Sequence, residues 1–108
     1  MSTIYVRLDP RKLQNPDLDI RYALPDLISE KSNGAVTDDG YDYAGDVPYL
    51  VIALSTEDIA QGMLWVMDTL EHARILGNDL LPAAVVAIDY DGQKVVKYPN
   101  NFQGSFPE

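Results

Sequence analysis

The feature that most constrains this chain is a nearly continuous apolar run in its middle, from Tyr49 to Leu54. Such a run, without polar alternation, reads as a central strand covered on both faces. The next segment, from Thr56 to Leu76, reads as the clearest helix. There Ile59, Met63, Val66, Leu70 and Ala73 recur at helical spacing and form one stripe. Ser55 or Thr56 is placed to cap this helix, and Glu57 and Asp58 fall in its first turn, where the helix dipole favours acids. Gly77-Asn78 ends it, and a short loop continues through Leu81-Pro82.

The remaining elements flank this pair. From Thr3 to Leu8, Ile4, Val6 and Leu8 alternate with Tyr5 and Arg7, the period of a strand, and Asp9-Pro10 stops it. A loop runs from Arg11 to Asp17. A shorter helix is expected over Asp19 to Ser32, with Ile20, Leu24, Leu27 and Ile28 on one face. Pro25 either kinks that helix or opens it, and Asn33-Gly34 closes it. From Ala35 to Gly45 the reading stays open between strand and loop. Val36, Thr37, Tyr41 and Tyr43 favour strand, and Asp38-Asp39-Gly40 interrupts them as a turn or a bulge. An edge position would suit so charged a strand. Ala83 to Ile88 reads as a buried strand, joined by a type I′ turn at Asp91-Gly92 to another from Lys94 to Tyr98. In the tail, 100–108, Phe102 and Phe106 either pin the chain to the body or leave it frayed.

The order β-α-β-β-α-β-β over 1–108 predicts a single α+β domain. The expected architecture is a ferredoxin-like split β-α-β sandwich, with an antiparallel sheet, two helices on one face and a fifth strand extending the sheet.

Catalytic signatures do not emerge. The chain has no cysteine, which excludes disulfides and thiolate chemistry. His72 is the one histidine, no serine sits in a Gly-x-Ser-x-Gly elbow, and the seven glycines form no phosphate-binding loop. The acids near Asp38 do not follow the calcium-loop pattern. The expectation is therefore a non-enzymatic protein with no cofactor and no metal. The N-terminus lacks a signal peptide and no apolar run reaches membrane length, so a cytoplasmic location is expected.

Charge points toward binding. The formal net charge is −9, and no Lys or Arg occurs between Lys31 and Arg74, a stretch that carries eight acids. Such a surface repels nucleic acid and anionic membrane and steers a basic protein toward itself; alternatively it serves solubility alone. Within that stretch acids and tyrosines interleave at Asp38, Asp39, Tyr41, Asp42, Tyr43, Asp46 and Tyr49. Tyrosines are enriched at interfaces, and neighbouring acids add complementarity to a basic partner. The competing reading is an edge strand with Tyr41 and Tyr43 facing the core. A second candidate surface is the outer face of the long helix, with Leu64, Trp65, Asp68 and His72. An exposed Trp65 would be a binding hot spot, with a homodimer contact and burial of the indole as the alternatives. Asp68 lies four residues before His72 and is placed to pair with it.

With its basic-free stretch from Ser32 to Ala73 and its Asp38-Asp39-Gly40-Tyr41-Asp42-Tyr43 segment, the chain resembles the bacterial immunity proteins of polymorphic and contact-dependent toxin systems. The resemblance is one of type across the whole chain, without a shared motif. It implies tight binding to a basic toxin, often a nuclease, whose cleft is blocked. The acids would stand in for substrate phosphates and the tyrosines would supply buried area. Two other readings remain: a structural or regulatory subunit using the Trp65 face, and a small enzyme or metal-dependent binder with a concave pocket.

Overall fold

The alternation of Ile4, Val6 and Leu8 sets the architecture. The computed structural model, which describes residues 1–45, 48–103 and 106, places them on β1 (Ser2–Leu8) at the centre of a sheet. The other elements, in chain order, are α1 (Ile20–Lys31), β2 (Val36–Ala44), β3 (Tyr49–Thr56), α2 (Ile59–His72), the short β4 (Arg74–Ile75) and β5 (Asn78–Asp79), then β6 (Ala84–Tyr90) and β7 (Gln93–Tyr98). The main sheet runs β2-β3-β1-β6-β7, and every neighbouring pair is antiparallel.

Register explains the core. Ile4 stands opposite Leu54 and Ile88, and Val6 opposite Ile52 and Val86. All six side chains therefore emerge on one face. Helix α1 brings Ile20, Leu24 and Ile28 to that face, and α2 brings Val66 and Leu70, so one buried cluster fills the space between helices and sheet. The fold is thus α+β, a five-stranded antiparallel sheet with two helices. Both faces of β3 are largely withdrawn from solvent, as its apolar run requires, since Val51 on the opposite face is also buried.

Several boundaries differ from the sequence reading. Thr56 does not cap α2. It closes β3, paired with Ser2 and Val36, and its hydroxyl donates to the Asp58 carbonyl. The cap is Asp58, whose Oδ1 accepts from the Gln61 N–H at 3.1 Å. The helix also stops at His72, short of Leu76. Beyond it β4 and β5 form a minute hairpin, turned by Leu76 and Gly77 at φ 52° and 83°. The buried Asn78 amide draws the chain into this turn by donating to the Ile75 carbonyl at 3.2 Å. Pro25 lies inside α1, where its ring is buried and the missing N–H deprives only the Arg21 carbonyl of its usual donor.

The Asp91-Gly92 turn joins β6 and β7 with both residues at positive φ, 52° and 80°, the pattern that a type I′ hairpin demands. Phe102 and Phe106 lie on the sheet face away from the helices. Phe102 is 5.4 Å from the Arg7 guanidinium, and the Phe106 ring is 6.3 Å from that of Tyr5.

Candidate functional site

The segment left open between strand and loop is β2, an edge strand with a bulge. Asp38 stands opposite Leu54 and Tyr41 opposite Ile52, so Asp39 and Gly40 together face the single residue Ala53. Gly40 takes φ 101°, a conformation that side chains rarely adopt. The edge is partly closed by its own acids. The Asp38 carboxylate accepts from the Gly40 N–H at 2.9 Å, and the Asp42 carboxylate from the Tyr43 N–H at 2.8 Å. Two backbone donors of this strand are thereby occupied, which discourages strand addition there.

The bulge decides which side chains meet. Tyr41 and Tyr43 stand opposite Ile52 and Leu50 and so rise on the helix-bearing face. There they meet Tyr22 from the first turn of α1. The Tyr22 and Tyr41 rings are 6.1 Å apart at 88°, and the Tyr41 and Tyr43 rings 6.0 Å apart at 80°. This edge-to-face order suits ring quadrupoles. The three residues are still 48%, 42% and 42% exposed, so Tyr41 and Tyr43 face the helix layer without entering the core. The Arg21 guanidinium lies 4.7 Å from the Tyr22 ring and 5.2 Å from that of Tyr41. Hydrogen bonding to Tyr22 and then Tyr43 raises the Arg21 pKa, and Arg21 in turn lowers that of the Tyr22 phenol.

The structure does not gather all seven residues of the interleaved segment. Asp42 stands opposite Val51 on the other face, and Tyr49 is on that face as well. Tyr49 is already engaged: its ring lies 4.3 Å from the Arg7 guanidinium, and its hydroxyl accepts from Arg11 at 3.2 Å. Asp39 is exposed on the bulge and adds to the rise in the Tyr5 phenol pKa, which burial causes first. Asp46 lies outside the described residues. In place of one seven-residue patch there is a tyrosine row, with Asp38 beside it and Asp39 and Asp42 around the edge. Tyr22 was not legible as a member. It is nineteen positions from Tyr41, and no local pattern links them.

Below the row, Tyr43 also lines an apolar groove of about 200 Å³, walled by Leu13, Pro16, Leu18, Ile20 and Leu50. The loop that forms its outer wall is held at two points. Asp9 opens the turn Pro10–Lys12 and grips Arg11, with Oδ1 3.0 Å from Nε and Oδ2 2.9 Å from a terminal nitrogen. This hydrogen bonding holds the Asp9 carboxyl below its ordinary pKa. Further on, the Asn15 N–H donates to the Asn78 amide oxygen at 2.7 Å, and the Asn78 amide nitrogen donates to the Asn15 carbonyl at 2.6 Å.

The second candidate surface comes apart into separate roles. Leu64 is 65% exposed, whereas Trp65 is half-buried and packs against the core. Asp68 accepts from Lys31 at 3.1 Å, linking the two helices, and lies 3.1 Å from His72 Nδ1. Lys31 is the main cause of the lowered Asp68 pKa.

Among the described residues no three His, Asp or Glu side chains converge as metal ligands, and no helix is long and apolar enough to cross a membrane. Comparison with family models, curated proteins and solved structures finds no match to this chain.

Proposed function

We propose that this chain is an acidic binding protein of the immunity type, which holds a basic protein, a toxin domain of the nuclease kind, and blocks it. The contact centres on Tyr22, Tyr41 and Tyr43, with Asp38, Asp39 and Asp42 around them. The observation that carries this reading is the tyrosine row itself: three rings ordered against one another, on residues that are each two-fifths or more exposed. Rings already held in place lose little freedom on binding, so their burial contributes to affinity more fully. The net charge of −9 supports a basic partner, because it accelerates encounter with an oppositely charged surface. We also read the strand order β2-β3-β1-β6 as the ferredoxin-like split β-α-β plan, with β7 as an added edge strand.

A tagged full chain, used to capture proteins from its native host at low salt and then washed at high salt, tests this reading. The wild type is expected to retain one basic protein, weakened by salt. A Tyr41→Ala, Tyr43→Ala double variant with an unchanged melting temperature is expected to lose it. Equal retention by the double variant, or recovery of the chain alone, would overturn the proposal.

A further inference from the structure

We infer that Arg21 is the positioning residue of the proposed contact. Its guanidinium holds Tyr22, Tyr41 and Tyr43 in one arrangement before a partner arrives, and binding depends on it although its charge opposes a basic partner. The inference rests on the proposed binding function and adds what sets the shape of its surface.

One side chain meets all three tyrosines. Arg21 sits in the first turn of α1, and its guanidinium carbon lies 4.7 Å from the centre of the Tyr22 ring and 5.2 Å from that of Tyr41. Hydrogen bonding carries the contact to the Tyr22 and Tyr43 phenols. A planar group with several donors can join neighbours in this way, whereas a lysine presents a single point of charge. The join matters because Tyr22 stands on α1 and the other two on β2, so the row spans two elements.

The guanidinium is committed to the rings. Among the described residues it pairs with no carboxylate, in a chain that carries 17 acids. Its Nε is buried without a hydrogen-bond acceptor among those residues. A buried donor left unmet costs stability. Arg21 is thus a poor device for stabilising the fold and a good one for fixing rings, and the two roles separate on mutation.

Charge and position oppose each other here. A positive charge within the contact slows the approach of a basic partner, whereas rings held in place lose little freedom when they are covered. Removing Arg21 therefore speeds association if charge decides, and speeds dissociation if ring order decides.

The test compares Arg21→Met and Arg21→Lys with the wild-type full chain. Lys97→Met, on the opposite edge strand, controls for the loss of one positive charge. Arg21→Met also removes the unmet donor, so its melting temperature should stay close to that of wild type. In the free chain, proton NMR is expected to show contacts between the Tyr22 and Tyr41 rings and between those of Tyr41 and Tyr43, lost in Arg21→Met and weakened in Arg21→Lys. Followed with pH, the Tyr22 ring should ionise below an ordinary phenol, because Arg21 first and then the Tyr41 hydroxyl bond to it against the charge of Asp19, and should ionise higher in Arg21→Met. The partner probe is the basic protein that the wild-type chain captures from its host at low salt. From it Arg21→Met should dissociate about fivefold faster or more and associate no more slowly, with Arg21→Lys between. Unchanged ring contacts and an unchanged Tyr22 titration in Arg21→Met would overturn the inference. Loss of the ring contacts with dissociation as slow as in wild type would overturn it too. Should Arg21→Met unfold, Arg21→Lys, which keeps the charge, decides by the same readings. If no partner is recovered, the binding function falls and this inference with it, whereas a partner held equally by wild type and Arg21→Met sinks the inference alone.

Discussion

Asp9 shows how much one side chain does that its neighbours in sequence do not announce. Beside Pro10 it reads as a strand terminator, yet the fold leaves it only 5% exposed and has it both start a helical turn and hold Arg11. A buried acid survives when its oxygens are satisfied, and here the guanidinium satisfies both. Because Arg11 keeps the Asp9 pKa below that of the unfolded chain, the stability this pair lends is complete above about pH 4 and drains away as pH falls through the lower, folded value. Asp9→Asn is expected to lower the melting temperature near neutral pH and to flatten its decline below about pH 4. Melting curves for both proteins across that window check this, and an unchanged decline in the variant would remove Asp9 as its source.

At the scale of elements, α2 depends on a glycine that reads in sequence as a weak point in a good helix. Gly62 is buried where α2 crosses the end of the sheet. A Cβ built there would lie 2.8 Å from Thr56 Cγ2, 3.0 Å from its Oγ1 and 3.1 Å from Ile4 Cδ1. Alanine would gain about 1 kcal/mol in helix propensity, but crowding in a filled core costs about 1–3 kcal/mol. Gly62→Ala is therefore expected to destabilise the protein by about 1 kcal/mol, a few degrees in melting temperature. Denaturant titration gives the value directly, and a variant as stable as wild type would mean that Thr56 and Ile4 can yield. The hydrophobic stripe of α2 was readable because spacing alone carries it: Val66 and Leu70 are fully buried as expected. The close approach at Gly62 was not, because it depends on where β1 and β3 lie in space.

For the whole molecule the relevant quantity is the distribution of charge. The stretch without Lys or Arg spans β2, β3 and α2; among its described acids, Asp38, Asp39 and Asp42 lie on the edge strand, Glu57 and Asp58 lead into α2, and Asp68 and Glu71 lie on it. If a basic partner is steered by this field, Asp39→Lys with Asp42→Lys should slow association several-fold at low salt and change the dissociation rate much less. Both positions are exposed, so stability should shift little. Stopped-flow mixing with the recovered partner across ionic strengths measures this. Association equally fast in the variant would assign the acids to solubility.

The amino-acid sequence by itself determined most of the elements: strands where apolar residues alternate or run together, helices where they recur every three or four positions, and the tight hairpin at Asp91-Gly92; it left the charged segment of β2 open between strand and loop and carried the long helix past His72 into the β4–β5 hairpin. It also placed the excess of acid, because composition does not depend on folding. Only the tertiary structure decided which of these residues share a surface. Along an unbroken strand Tyr41 and Tyr43 would face away from Val36 and Asp38. The extra residue at Asp39-Gly40 reverses the alternation and turns both tyrosines toward the helices, where Tyr22 waits on α1. The same reversal sends Asp42 to the opposite face, and Tyr49, alternating along β3, lies there against Arg7. Periodicity assigns faces within one element. The pairing of elements, and a single bulge in that pairing, assigns them across the molecule.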